Sequence, residues 1–454
     1  MKLTLNEIIE STGAEILKCE ATQADFSFST DTRTIEKDQI YLPLKGANFD
    51  GENFTLKALE MGAFGFFTTK KAIPEEFTSA KLILSTENTL DAYLNLARFC
   101  RRKIAPKTIA ITGSSGKTTT KEMAFSVACE KFKTHKSELN FNNEIGLCKT
   151  ILSMPEDTEV LILEMGMRGL GEIELLSKYS EPDIAIIANV GTAHIGRLKS
   201  RENIAKAKCE IEKYLNPNGV IIAHNDEIIK NQLEQQSKRQ NNIFFSLDDA
   251  KILERKIGLS KFEYKNHLYR LNIEGDYNVQ NALAVIEMGL QLKMSEQEIA
   301  NGLEKFSPIE KRWEIKDING YKVVNDSYNA NPESMQGVIK TVLDIYSTPV
   351  VFVLGDMGEL GEDEAEFHRQ IGTFLADNLK DNVKVLTVGT LAEEISKTIE
   401  KRGFWSKNFT SNQNVSRYIL DNIEIGTTII LKASRSMKFE EIIHFLDNEK
   451  TEER

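Results

Sequence analysis

Gly113-Ser114-Ser115-Gly116-Lys117-Thr118-Thr119 directly follows the apolar run Thr108 to Thr112 and leads into a helical stretch, Lys121 to Phe132. Strand, glycine loop, helix is the context in which backbone N–H groups turn toward phosphate oxygens. The helix start adds partial positive charge, Lys117 can reach the β and γ oxygens, and the Thr118 hydroxyl can ligate Mg2+. The strict G-x-x-x-x-G-K-[ST] spacing is not met, because Ile111 stands where the first glycine would be. An ordinary glycine turn before a helix shares the local pattern, and the flanking elements favour nucleotide binding.

Three further residues could carry metal chemistry. Glu164 closes the apolar run VLIL, which places a carboxylate at the carboxyl end of a buried strand, where open α/β sheets bind ligands. A solvated glutamate at a strand end would read the same. His194 lies in the loop GTAHIG, and a lone loop histidine is more often solvated than a ligand. Lys208, in the helical RENIAKAKCEIEKYL, shares an apolar face with Ile204 and Ile211, while Lys206 points nearly opposite. Burial would lower its pKa and free the amine for modification or chemistry; a stem that packs while its head snorkels to water fits the spacing equally well.

The elements that must position these residues are those of an α/β protein. TIAIT, VLILE, DIAIIANV and GVIIAHN are continuous apolar runs of the kind parallel sheets bury on both faces. A helical stretch from Asn278 to Leu292 ends this block. Strand-like YKVVN, PVVFVLG, KVLTVG and TTIILKA return after Pro308, separated by amphipathic segments. Before it, short apolar segments at Ile40 to Leu44, Phe64 to Phe67 and Leu82 to Leu84 end in a basic patch, Arg101 to Lys103, and Pro106. Three α/β domains are expected, 1–104, 105–308 and 309–454, the second a P-loop parallel-sheet domain and the third Rossmann-like. The charged tail Glu449 to Arg454 is expected to fray.

A chain of 454 residues is longer than one core normally supports, and 41% hydrophobic with 28% charged residues is an ordinary globular composition. The net charge of −11 argues against a nucleic-acid coat and leaves room for a local basic pocket. Glu7 and Glu10 interrupt the N-terminal stretch a signal peptide would need, and no apolar run is long enough to span a bilayer, so a cytoplasmic protein without membrane contact is expected. Cys19, Cys100, Cys129, Cys148 and Cys209 form no C-x-x-C and read as buried thiols.

The motifs taken together resemble the Mur ligase superfamily, the ATP-dependent amide ligases of peptidoglycan precursor synthesis. STDTR (Ser29 to Arg33) and LKGANFDGENF (Leu44 to Phe54) are similar to its uridine-nucleotide signature. TGSSGKTTT, NNEIG from Asn142, EMG from Glu164, AKAK ending at Lys208 and GDYNVQNALAV from Gly275 follow in family order. Lys311-Arg312, NDSYNANPESM from Asn325, LGDMGELGE from Leu354 and KASR from Lys432 complete it, and DSYNANP and LGDMGELG resemble the branch that adds D-alanyl-D-alanine.

The resemblance implies that ATP binds Gly113, Ser114, Ser115, Gly116, Lys117, Thr118 and Thr119, with Asn281 on the adenine and Arg312 and Asp326 completing the site. It implies Mg2+ on Thr118, Glu164, His194 and a carbamylated Lys208. Lys117, Lys208, His194 and Glu164 would be the catalytic set. UDP-N-acetylmuramoyl-tripeptide would engage Ser29, Thr30, Asp31, Arg33, Gly46, Asp50 and Gly51, and D-alanyl-D-alanine would meet Tyr328, Asn329, Asn331, Lys432, Ser434 and Arg435. A monomer is expected, closing its domains around the reactants.

Three sites depart from the family pattern: Tyr277 where G-x-H-N is common, Ala433 in place of the glycine of KGSR, and Leu147-Cys148 after NNEIG. Gly355, Gly358 and Gly361 lack the spacing of a dinucleotide fingerprint and read as a turn into a helix, and His368 beyond them reads as structural. A ligase adding a single amino acid is the nearest alternative, opposed by the absence of a DNPR-like motif. A P-loop kinase or switch would leave the first domain without a purpose. The sequence leaves open whether lysine or diaminopimelate is the third residue of the peptide.

Overall fold

The structure is a computed structural model describing residues 1–20, 24–46, 48–73, 77, 79–138, 140–236, 241–347 and 349–448; the tail expected to fray lies outside them. The class is α/β. Two compact units divide the chain: Met1–Thr108 with Lys133–Leu163 and Leu175–Glu181, and Ile109–Phe132 with Glu164–Glu174 and Pro182–Arg454. No described helix is long and apolar enough to cross a membrane.

In the first unit five strands run in the order Glu15–Cys19, Leu82–Ser85, Gly65–Thr68, Ile40–Tyr41, Phe28–Ser29. Only the outer pair with Glu15–Cys19 is antiparallel. Tyr41, Phe66, Phe77 and Ile83 pack beneath it. Helix Thr89–Ile104 starts where Asn88 Oδ1 accepts from the Leu90 and Asp91 amides, and ends at a left-handed Ala105 before Pro106. The basic patch in its last turns is an ion-pair knot. Arg98 and Arg102 converge on the Glu181 carboxylate and Arg101 donates to its backbone carbonyl. Burial raises the Glu181 pKa, but the bonds from Arg102 and Arg98 outweigh it and hold the carboxyl below its usual range.

The second unit holds parallel strands Lys107–Thr112, Ile184–Ile187, Val220–His224 and Asn242–Phe245 in that order. Their continuous apolar runs follow from burial on both faces. After them the chain builds an antiparallel sheet that the sequence does not announce: Lys251–Lys256, Leu259–Tyr264 and His267–Leu271. Ser260, Phe262 and Tyr264 alternate inward there, a period-two signal spread over only a few residues. A third sheet has the order Glu314–Ile318, Tyr321–Asn325, Thr428–Lys432, Val350–Gly355, Val383–Val388, Ser406–Phe409, with only the first pair antiparallel.

Two expectations need correction. The helix read through Leu215 is α-helical only over Arg201–Cys209 and tightens to a 3-10 turn at Glu210–Glu212, where Glu210 turns in to accept from the Gly171 amide at 2.9 Å. Cys100, Cys148 and Cys209 are buried, but Cys19 and Cys129 are exposed, since one ends an edge strand and the other caps a helix.

The helix after the phosphate loop, Lys117–Ala128, is held by helices Asp276–Gln291 and Glu296–Lys305. A Cβ on Gly302 would sit 2.4 Å from Val127 Cα, and Ser126 Oγ donates to the Gly302 carbonyl at 2.6 Å. Gly302→Ala should therefore destabilise the protein by about 1–3 kcal/mol, read as a lower urea midpoint; an unchanged midpoint would show that this approach does not fix the helix.

Candidate functional site

The phosphate loop begins where the buried strand Lys107–Thr112 ends. Gly116 is the N-cap of the next helix with φ +75, a left-handed conformation that favours glycine, and a Cβ there would also meet Asn281 Oδ1 at 2.6 Å. Asn281, 5% exposed, thus stands against the turn of the loop. Asn189 determines the loop's shape. Its Oδ1 accepts from the Ser114 and Ser115 amides at 3.0 and 2.9 Å, and its Nδ2 donates to the Ser115 carbonyl at 2.9 Å. The Gly191 amide donates to Ser114 Oγ. Of the amides read as a cradle, those of Ser114 and Ser115 are therefore occupied. Those of Gly116, Lys117, Thr118 and Thr119 begin the helix, where they find no acceptor in its own turns.

Lys117 folds back to donate to the Gly113 carbonyl at 2.7 Å. Burial lowers its pKa; Glu164 and Glu359 oppose the shift and Arg312 adds to it, so these side chains share one electrostatic field. Glu164 is 3% exposed, its position fixed where the Met165 amide donates to the Ile111 carbonyl. Lys121, fully buried and passed over in the sequence, lies 3.7 Å from Glu164 Oε2 and 3.2 Å from Glu122. Lys208 is 1% exposed, on the apolar face its spacing indicated, and forms no hydrogen bond or ion pair with another described residue through its amine. Burial first, and the charge of Lys117 second, push its pKa well below the ordinary value. His194 has φ +67, and its Nδ1 lies 2.7 Å from Glu359 Oε2, off the line of the ring N–H.

Of the residues read as acceptor contacts, Lys432 and Asn329 meet at one ion pair. Lys432, 2% exposed, holds Asp326 Oδ2 at 2.6 Å and donates to the Asn329 carbonyl at 3.0 Å. The Trp313 amide takes the other Asp326 oxygen. Arg312 lies over the Tyr328 ring, 4.0 Å from its centre. Asn331 caps helix Pro332–Ile345 and turns its amide nitrogen to the Ser114 carbonyl at 3.5 Å, which brings this cluster to the phosphate loop. Ser434 Oγ accepts from the Gly358 amide, and Arg435 pairs with Glu440.

In the first unit Ser29 and Thr30 line a cavity of about 410 Å³ with Tyr93, Lys136, Phe141 and Lys149. The two lysines were not singled out from sequence; they are basic groups beside an STDTR turn whose Asp31 is held to about 2 chiefly by Arg33. Gly46 and Asp50 belong to a separate hairpin, and Gly51 starts the 3-10 turn after it, where a Cβ would press the Leu44 backbone at 2.7 Å.

Comparison with known proteins places this sequence among the Mur ligases. The Mur ligase middle domain model covers residues 111–289, and the Mur ligase, glutamate ligase domain model covers 311–435. The UDP-N-acetylmuramoyl-tripeptide–D-alanyl-D-alanine ligase of Bacillus subtilis (strain 168) is 37% identical over 91% of this chain and 92% of its own length. The chain belongs to the MurF ligase family. A crystal structure of MurF from Acinetobacter baumannii superposes with a TM-score of 0.90 at 28% identity, covering 98% of this chain and 99% of that one. MurF from Thermotoga maritima, solved in complex with ADP, gives 0.81 at 27% identity, covering 93% and 97%.

Against the MurF pattern, the departures are accommodated. Ala433 has no positive φ, and its buried methyl fills the space that Gly355 leaves open. Tyr277 packs edge-on against Trp313, and Leu147 and Cys148 are buried in helix Glu144–Ser153. His368 is fully buried and accepts from the Met357 amide, the structural part read from sequence.

The state of Lys208 has a thermodynamic signature. Its folded pKa lies below the 10.5 it regains on unfolding, so between those values the unfolded chain holds a proton that the folded chain lacks, and stability rises with pH across that window. Lys208→Met should therefore be more stable than the parent at pH 7 in carbonate-free, nucleotide-free buffer, and the gap should narrow toward pH 10. A less stable variant at pH 7 would show that the buried amine is well solvated.

Proposed function

We propose that the protein joins D-alanyl-D-alanine to UDP-N-acetylmuramoyl-tripeptide at the expense of ATP, a cytoplasmic step of peptidoglycan precursor synthesis. The observation that carries this reading is the 37% identity to such a ligase over 91% of the chain and 92% of that ligase. The ADP in the Thermotoga maritima relative supports ATP as the nucleotide. The division 1–104, 105–308 and 309–454 is kept as the functional one, assigned respectively to the UDP-sugar peptide, ATP and the dipeptide.

ATP would lie along Gly113 to Thr119, with Asn281, Arg312 and Asp326 around it. Among the described residues no three His, Cys, Asp or Glu side chains cluster for a metal. One buried carboxylate, Glu164, with Thr118, His194 and Lys208 suits Mg2+, a cation that keeps waters and is held by one or two carboxylates together with substrate phosphates. When bound, Mg2+ would neutralise phosphate charge as the γ-phosphoryl group moves. A Lys208 amine driven toward its neutral form is the species that takes up CO2, so a carbamate there would turn a buried amine into a metal ligand.

The reaction then asks mainly for position. The γ-phosphoryl group passes to the terminal carboxylate of the tripeptide, the bond to the β-phosphate breaks, and ADP and an acyl phosphate result. The amine of D-alanyl-D-alanine attacks the acyl carbon, phosphate leaves, and the amide forms with loss of a proton. Lys117 would stabilise charge on the transferring group, which needs no strong base. Ser29, Thr30, Asp31, Arg33, Gly46, Asp50 and Gly51 would hold the UDP-sugar peptide. Tyr328, Asn329, Asn331, Ser434 and Arg435 would receive the dipeptide, with Lys432 anchoring their loop through Asp326.

Phosphate release with ATP and Mg2+ tests the reading. Release should require both UDP-N-acetylmuramoyl-tripeptide and D-alanyl-D-alanine, and the lysine and diaminopimelate forms of the tripeptide should differ in rate. Equal release with lysine, diaminopimelate or glutamate in place of the dipeptide would overturn the branch, and release without either acceptor would point to a general NTPase.

A further inference from the structure

His194 closes the loop from Gly191 and caps the short helical turn Ile195–Leu198, and two carboxylates from the last third of the chain grip that segment. Glu333, in the first turn of helix Pro332–Ile345, accepts from Thr192 through both its amide and its hydroxyl, at 2.8 and 3.0 Å. Its carboxyl carbon lies 2.6 Å from where a Cβ on Gly191 would stand. Glu359 brings its carboxylate to 2.7 Å from His194 Nδ1, and its backbone carbonyl accepts from the Gly196 amide at 3.2 Å. Gly196 and Gly361 meet backbone to backbone, and a Cβ on either would come within 2.6 Å of the other.

These contacts hold two strained residues. His194 and Glu359 both have left-handed φ, +67 and +64, which side chains rarely adopt unless their surroundings over-determine them. The segment carrying Glu359 is itself anchored. His368 Nε2 accepts from the Met357 amide at 2.9 Å, and the Gly358 amide donates to Ser434 Oγ at 2.7 Å. One loop thus touches Ser434 at one end and His194 at the other. An exposed ion pair alone would contribute little. Here the backbone on both sides is already fixed, so the carboxylate acts on orientation.

We infer that Glu359 is a positioning residue: it engages His194 Nδ1, fixes the ring, and leaves Nε2 as the nitrogen directed to the metal. A partner on the second ring nitrogen is how metal-binding histidines are generally held, and poorly aligned bonds of this kind tighten when the site fills. The segment from Asp356 to Gly361 thereby ties the metal side of the site to the Ser434 side. The inference rests on the assignment of His194 to Mg2+.

The test is Mn2+ affinity in the presence of ADP, followed by electron paramagnetic resonance, for the parent, His194→Ala, Glu359→Ala, Glu359→Gln and the Ala/Ala double variant. His194→Ala and Glu359→Ala should each weaken Mn2+ binding by about 10–100-fold. Glu359→Gln, whose amide oxygen still accepts from Nδ1, should stay within about threefold of the parent, since rescue without charge marks geometry as the cause. The double variant should be no weaker than His194→Ala, as two residues acting through one contact are not additive. If Glu359→Ala does not fold, Glu359→Asp, which withdraws the carboxylate by one methylene, makes the same comparison. Parent-like affinity in the Glu359 variants beside a weakened His194→Ala overturns the inference and spares the metal assignment. Parent-like affinity in His194→Ala overturns both.

Discussion

A cation taken out of water needs an anion, and the centre of the second unit holds more cations than its carboxylates answer. Lys121 is met by Glu122 and Glu164. Lys117 has a backbone carbonyl and a share of the field of Glu164, and the Lys208 amine has no hydrogen bond or ion pair with another described residue. Removing water from an ammonium without pairing it costs several kcal/mol, so such an arrangement persists where a ligand supplies the charge or the amine is changed. A triphosphate would answer the first need and the proposed carbamate on Lys208 the second. The rest of the unit can be understood as the frame that holds this imbalance in place.

That frame is built from ordinary polar contacts used for position. Asn189 takes two amides and one carbonyl of the phosphate loop, so the loop's shape is set before nucleotide arrives. Asn331 reaches the Ser114 carbonyl, and Glu333 and Glu359 hold the His194 loop. A loop ordered in advance spares the ligand that entropy on binding, and phosphoryl transfer, which asks the protein mainly for position and charge, gains most from it. The Asp326–Lys432 pair plays the same part for Tyr328 and Asn329, by tying strand Thr428–Lys432 to the loop that carries them.

What could be read in the sequence was local. The phosphate loop shows because its glycines, lysine and threonine are contiguous and its strand and helix flank it; Glu164 and Lys208 show because burial follows from period along a strand or a helix face. Lys121 lies three and seven residues before the buried Ala124 and Ala128, but alanines mark a buried helix face far more weakly than the isoleucines beside Lys208. Asn189, Glu333 and Glu359 were passed over because their partners lie far along the chain: Glu333 meets Thr192 across 141 residues. Lys432 was read as a contact for substrate, and the structure gives its ammonium to Asp326, a partner 106 residues away. The antiparallel sheet from Lys251 to Leu271 escaped because its alternation spans only a few residues in each strand.

The most direct test of this account is calorimetric titration of ADP with Mg2+ into the parent and Lys117→Met, a change that keeps an unbranched side chain one atom shorter and removes its charge. The parent should bind and the variant should lose about 100-fold in affinity, the scale of a charge-assisted phosphate contact in a dry site, while its unfolding midpoint without nucleotide stays at or above the parent's. Affinity within threefold of the parent's, or a nucleotide-free protein clearly destabilised by the loss of Lys117, would mean that the buried charge serves the fold and not the nucleotide.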